Sequence, residues 1–196
     1  MRFVIGFNRE RPSLSSPTSL LLMGFIAICL GVTSASAAQA YKTAGCRYKT
    51  DSINPISYRF FSVSKTNESS TKYGATAWND TSAPGYFKEQ SNSLDPEVNI
   101  TDDPFPKENA YAWVASSCNK GFYRGNEVNL VWNTSLISTR TKTQKKRIAT
   151  HELGHAYGLG HVTKGCHIMR VDIGYLADCN RTTPSTDDIK GVKSLY

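Results

Sequence analysis

Histidine is scarce in this chain, with four in 196 residues, yet three of the four fall between positions 151 and 161. Methionine is rarer still, and beyond residue 40 only Met169 remains. The five cysteines contain no CxxC pair, which argues against a cysteine-held zinc cluster. Nowhere does an apolar run reach the roughly twenty residues that a membrane-spanning helix needs. Residues 41–196 carry neither an internal repeat nor a low-complexity linker and are read as one domain. The net charge is +7, but aromatic side chains do not interleave its one dense cluster, KTQKKR (Lys142–Arg147). That run is read as a solvated helix face, and nucleic acid is not an expected partner.

What is present begins with a leader. Arg2, Arg9 and Arg11 precede the apolar stretch Ser19–Val32, and small residues follow as far as Ala40. This is the pattern of a signal peptide over residues 1–40, cleaved after Ala37 or Ala40, which predicts a secreted, extracellular protein with no stable membrane insertion after processing. Cys29 leaves with the leader. Cys46, Cys118, Cys166 and Cys179 remain, an even number that suggests two disulfides in an exported chain. Three pairings are possible. Cys166 with Cys179 is favoured because the two are close in sequence and flank a predicted loop holding Met169, Tyr175 and Leu176; Cys46 then pairs with Cys118. Closing a loop of about fourteen residues contributes roughly 3 kcal/mol in the chain-entropy model. Asn-x-Ser/Thr sites at Asn67, Asn79, Asn99, Asn133 and Asn180 matter only in a host that glycosylates.

The domain alternates between strand and helix signals. ISYRFFSV (Ile56–Val63) is rich in β-branched and aromatic residues and predicts a strand. A helix is expected over Ser69–Asn79, weakened by Gly74 and closed by the turn at Pro84-Gly85. Four strands are expected next, beginning at Gly85, Glu97, Ala110 and Asn126. VNLVW suits the middle of a sheet, whereas AYAWVAS, with small residues between Tyr111 and Trp113, suits an edge. A second helix should run from Thr141 to about Tyr157, with Ala149, Leu153 and Ala156 as a packing stripe and Gly158 as its stop. Its basic first turn opposes the helix dipole. Ser185 caps a short closing helix that has Asp187 and Asp188 in its first turn.

The chemistry lies in HELGHAYGLGH, residues 151–161. Histidines at i and i+4 project from one helix face, close enough to share a metal ion. Gly158 lets the chain reverse so that His161 can supply a third nitrogen to His151 and His155. Three neutral imidazoles leave one tetrahedral position for water, the arrangement of a catalytic zinc site. Glu152 is placed to take that water's proton as general base.

These residues resemble the HExxHxxGxxH signature of the metzincin metalloendopeptidases, and HIM, ending at Met169, is similar to their Met-turn. STDDIKGVKSLY is similar to the last helix of the matrixin branch, although Val162 stands where matrixins usually have serine. The resemblance implies an α+β, metzincin-like catalytic domain over 41–196: a twisted mixed sheet of about five strands, two long helices and a short C-terminal helix. It also implies cleavage of protein or peptide substrates aligned along an edge strand, here through Tyr111, Trp113 and Val114. A cysteine-switch latency segment is not expected. One zinc is, because only His167 lies outside the ligand set; calcium sites cannot be assigned from the scattered aspartates, and oligomeric state is not legible. Two other functions compete: a secreted zinc-binding or adhesive protein without turnover, which the intact Glu152 opposes, and a zinc hydrolase of non-peptide amides.

Overall fold

A computed structural model describes residues 41–92, 95–125, 128–172 and 179–196. The leader with both cleavage positions, Asn126 and the Tyr175–Leu176 pair lie outside these described residues. In chain order the elements are β1 (Lys42–Thr43), β2 (Ile56–Phe61), α1 (Lys65–Asn79), β3 (Phe87–Glu89), β4 (Val98–Asp103), β5 (Ala112–Ala115), β6 (Cys118–Asn119), β7 (Phe122–Tyr123), β8 (Val128–Asn133), α2 (Thr134–Ile137), α3 (Lys142–Ala156), β9 (Leu159–Gly160) and α4 (Thr186–Leu195). Five strands form the main sheet in the order β3-β2-β4-β8-β5. The first four run parallel and β5 closes one side antiparallel to β8. This is the mixed α+β sheet with two long helices that the sequence predicts.

Alternation along the strands decides which face is buried. Tyr58, Val98 and Val128 are aligned across the sheet, as are Ile100 and Leu130, and all five are buried. Their face meets α1 and α3: Trp132 on β8 donates its indole N–H to Thr71 Oγ1 of α1 at 3.2 Å. Trp78 of α1 donates to the Thr150 carbonyl of α3 at 2.8 Å. Ala149, Leu153 and Ala156 are fully buried, as the predicted packing stripe requires.

Several boundaries differ from the sequence reading. The first strand ends at Phe61, because Ser62 takes a left-handed φ of 55°. The first helix starts at Lys65 rather than Ser69, since its opening turn is polar and carries no apolar period to read. The β6–β7 hairpin, the β1–β9 pair and α2 went unpredicted; the paired segments are only two residues each, too short for any pattern. The basic run is not a solvated face. Lys145 and Arg147 are buried, Arg147 Nε donates to the Arg181 carbonyl at 3.0 Å, and Lys146 lies over the Tyr73 ring. The opposing dipole at that end is offset by a capping box, in which Thr141 and Gln144 satisfy each other's backbone N–H groups.

Gly74, a weak point for a helix in isolation, is where α1 and α3 come closest. A Cβ there would stand 2.9 Å from backbone atoms of Ala149 and Thr150. Backbone cannot move aside as a side chain can. Gly74→Ala is therefore expected to destabilise the protein by about 1–3 kcal/mol, although the same change at an open helix position would add roughly 1 kcal/mol of stability. Urea unfolding decides between the two signs.

Candidate metal centre

α3 carries His151, Glu152 and His155 across its last two turns, and the chain then reverses at Gly158, whose φ is 101°. The reversal returns His161 to the helix. The three Nε2 atoms converge, with His151 and His161 3.0 Å apart, His155 and His161 3.0 Å apart, and His155 and His151 3.1 Å apart. This is the grouping of metal-ligating side chains found among the described residues.

Proton counting shows what such a cluster needs. His151 Nδ1 lies 2.7 Å from the Ile168 carbonyl and His155 Nδ1 lies 2.7 Å from the Leu159 carbonyl. A carbonyl only accepts, so both Nδ1 atoms carry hydrogen. Burial, reinforced by the neighbouring imidazoles, holds His151 well below the ordinary histidine range and pushes His155 down to about 3. Burial also lowers His161. The rings are thus neutral, and the facing Nε2 atoms of His151 and His155 are bare lone pairs that cannot bond to each other. A cation shared between them removes the repulsion. The spacing suits an ion with metal–nitrogen distances of about 2.0–2.1 Å, as zinc has with histidine.

Each supporting carbonyl is itself held. Leu159 pairs with Thr43 across β1–β9, and the Ala44 N–H donates to the Gly158 carbonyl at 2.7 Å. Ile168 N–H donates to Asp188 Oδ2 at 2.9 Å and Met169 N–H to Asp188 Oδ1 at 3.3 Å, so the first turn of α4 fixes the turn that orients His151. Tyr123 on the hairpin donates its hydroxyl to the His155 carbonyl at 2.9 Å. Asp188 and Tyr123 escaped the sequence reading because their roles rest on contacts with distant segments. Met169 is buried and packs against Gly154, between the two helix histidines, where any Cβ would overlap its sulfur.

Glu152 is buried, and its Oε2 has no hydrogen-bond partner among the described residues. Burial pushes the carboxyl up to about 8; a cation nearby acts in the opposite direction. Both expected disulfides are present, Cys46–Cys118 and Cys166–Cys179, with Cα separations of 6.0 and 5.5 Å.

A family model, Matrixin, matches residues 54–196. The chain belongs to the matrixin family. A shorter stretch resembles macrophage metalloelastase of Oryctolagus cuniculus, 49% identical over 49 residues. That match covers 25% of this matrixin and 10% of the rabbit protein, so it speaks for a local segment. Matrixins are zinc-dependent metalloendopeptidases, and the three converging imidazoles of this matrixin fit that dependence.

The burial of Glu152 has a sign that can be measured on metal-stripped protein. Between its ordinary 4.5 and about 8 the folded state keeps a proton that the unfolded chain has released, so stability falls as pH rises through that window. Below about 6.5 the buried neutral histidines oppose this, because the unfolded chain binds protons that the folded one refuses. From 6.5 to 8 the histidine contribution fades equally in the parent and in Glu152→Gln, so the difference in stability between the two proteins isolates Glu152. In urea unfolding of the stripped proteins, the parent should lose up to about 2 kcal/mol relative to Glu152→Gln across that interval.

Proposed function

We propose that this matrixin is a secreted endopeptidase in which His151, His155 and His161 hold one zinc ion and Glu152 is the general base. The observation that carries the reading is the convergence of three imidazole Nε2 atoms, those of His151 and His155 bare, beside a buried carboxylate with an unpartnered oxygen. Zinc bound there would polarise the scissile carbonyl and acidify a water. The residues of the chain do the rest. Leu159 and Ile168 keep the imidazoles in the tautomer that offers Nε2. Glu152 accepts the proton of the attacking water and passes it to the departing nitrogen. Secretion is supported by the two disulfides and by the composition of residues 1–40.

Substrate alignment falls to β5. Asn133 N–H donates to the Tyr111 carbonyl at 2.9 Å, which makes 111 and 133 a hydrogen-bonded pair. Antiparallel pairs alternate, so Trp113 and Val131 share the next such pair, while Ala112 and Val114 turn their backbone groups away from β8. Among the described residues β5 pairs with β8 alone, and Val114 is half-buried. An extended peptide laid along this edge would meet the N–H and carbonyl of Val114. Trp113 packs edge-on against Phe105 with ring centres 4.9 Å apart, and Arg140 lies over Tyr111, so both rings stiffen the strand.

Elemental analysis should find one zinc per chain. Replacing His151, His155 or His161 with alanine should lose it, whereas Glu152→Ala should retain zinc and lose peptide turnover by about 10²–10⁴-fold. An active Glu152→Ala enzyme would remove the general-base assignment; a wild-type chain that binds zinc and cleaves no member of a peptide library would favour a binding protein.

Val114→Pro removes the outward N–H while sparing the bonds to β8, a change that edge strands tolerate. It should raise KM or abolish cleavage with zinc content intact. Normal cleavage by a folded, zinc-loaded Val114→Pro protein would show that substrate does not pair with β5.

A further inference from the structure

His167, the one histidine outside the metal centre, is half-buried and points its Nδ1 at Ser185 Oγ, 2.9 Å away. Ser185 is the N-cap of α4, and its hydroxyl has two further partners, Asp188 Oδ2 at 2.6 Å and the Asp188 N–H at 3.2 Å. A hydroxyl has one hydrogen and two lone pairs. Its hydrogen goes to the carboxylate and one lone pair to the Asp188 N–H. The position left can only accept, so His167 Nδ1 is the donor. The ring sits in a seat made by Gly165, at φ 78°, where any Cβ would overlap Nε2.

We propose that His167 is a positioning residue of the metal centre, acting through Ser185 and Asp188 on the peptide that orients His151. This rests on the reading of His151 as a metal ligand. The 168–169 peptide unit is held at both ends. Its N–H, on Met169, donates to Asp188 Oδ1 at 3.3 Å, and its carbonyl, on Ile168, receives His151 Nδ1 at 2.7 Å. Asp188 is buried, and its Oδ2 takes three hydrogens, from Ser185 N at 2.7 Å, from Ser185 Oγ and from Ile168 N at 2.9 Å. The carboxylate can hold the turn only if Ser185 stays in place, and Ser185 is tethered to the same turn by the imidazole one residue before Ile168. His167 thereby closes a ring of hydrogen bonds, 167 to 185 to 188 to 168, that joins α4 to the segment orienting a ligand.

The test is zinc affinity, by chelator competition, on the purified chain carrying His167→Ala or His167→Asn, whose amide N–H takes the place of Nδ1–H. His167→Ala should raise the zinc Kd about tenfold, the lower end for outer-shell groups because His167 acts through Ser185 and Asp188, and His167→Asn should return it to within about twofold of the parent. A purely structural role would shift the unfolding midpoint of the stripped variants without separating their zinc Kd values. A zinc Kd in His167→Ala within about twofold of the parent, or an Asn variant as weak as the Ala variant, overturns the proposal. His151→Ala is the companion measurement. Loss of zinc there with no His167 effect sinks the positioning role alone, and zinc retained at parental affinity in His151→Ala overturns the ligand reading and the proposal together.

Discussion

Three imidazole nitrogens facing one another at 3.0–3.1 Å, with those of His151 and His155 bare, are the constraint around which this molecule is arranged. Neutral imidazoles do not gather this way by hydrophobic collapse, because the arrangement sets lone pair against lone pair until a cation is present. The fold must supply what holds them. It does so with two backbone carbonyls, Leu159 for His155 and Ile168 for His151, each fixing a tautomer and a ring orientation at once. Outer-shell groups of this kind matter because a ligand free to rotate spends part of its binding energy on becoming ordered.

Holding two carbonyls still takes segments from both ends of the domain. β1 pairs with β9 and so fixes the Leu159 side. The Cys46–Cys118 bond then ties the chain just after β1 to the hairpin that sends Tyr123 to the His155 carbonyl. On the Ile168 side, α4 supplies Asp188 and the Cys166–Cys179 bond anchors the start of the turn. The two disulfides therefore fall on the two stretches that reach the histidine-orienting carbonyls, while the sheet and the α1–α3 contact, rich in buried apolar side chains, have none. Cross-links are found where short segments have little apolar area of their own to bury.

Legibility in the sequence follows the range of the interaction. The histidine cluster was readable because His151, Glu152, His155, Gly158 and His161 lie within eleven residues, and helix geometry alone brings His151 and His155 together. The edge position of AYAWVAS was readable from its small alternating residues, and Ser185 from its cap pattern. Asn133 shows where local reading stops. Its sequence context is that of a glycosylation site, yet its side chain is fully buried and donates to the Phe105 and Ala110 carbonyls at 3.0 Å each, pinning the loop that leads into β5. Asn67 is likewise buried and donates to Asp102, and Asn79 is bonded twice to the Phe87 backbone. Asn79 and Asn180 are both exposed, and Asn180 has no such task in the hydrogen bonds described. A three-residue pattern carries no information about partners dozens of residues away.

The basic run teaches the same lesson with the opposite sign. Charge density in Lys142–Arg147 argues for solvent, but α3 must bury most of its circumference to bring two histidines and a glutamate inside, since α1 covers one flank and the sheet another. A helix so placed has few exposed positions to give its charged residues. Lys145 and Arg147 are consequently carried into the interior by the same rotation that buries His151 and Glu152, and Arg147 finds the Arg181 carbonyl as a partner there. Burying a guanidinium is costly without hydrogen bonds, so the segment from Arg181 onward is held against α3 as part of the same requirement. Thr150 reinforces that contact, its hydroxyl meeting the Thr182 carbonyl at 2.9 Å. The approach to α4 is thus fastened to α3 before Asp188 reaches the Met169 turn, and the orientation of His151 depends on polar groups that composition alone would have assigned to the surface.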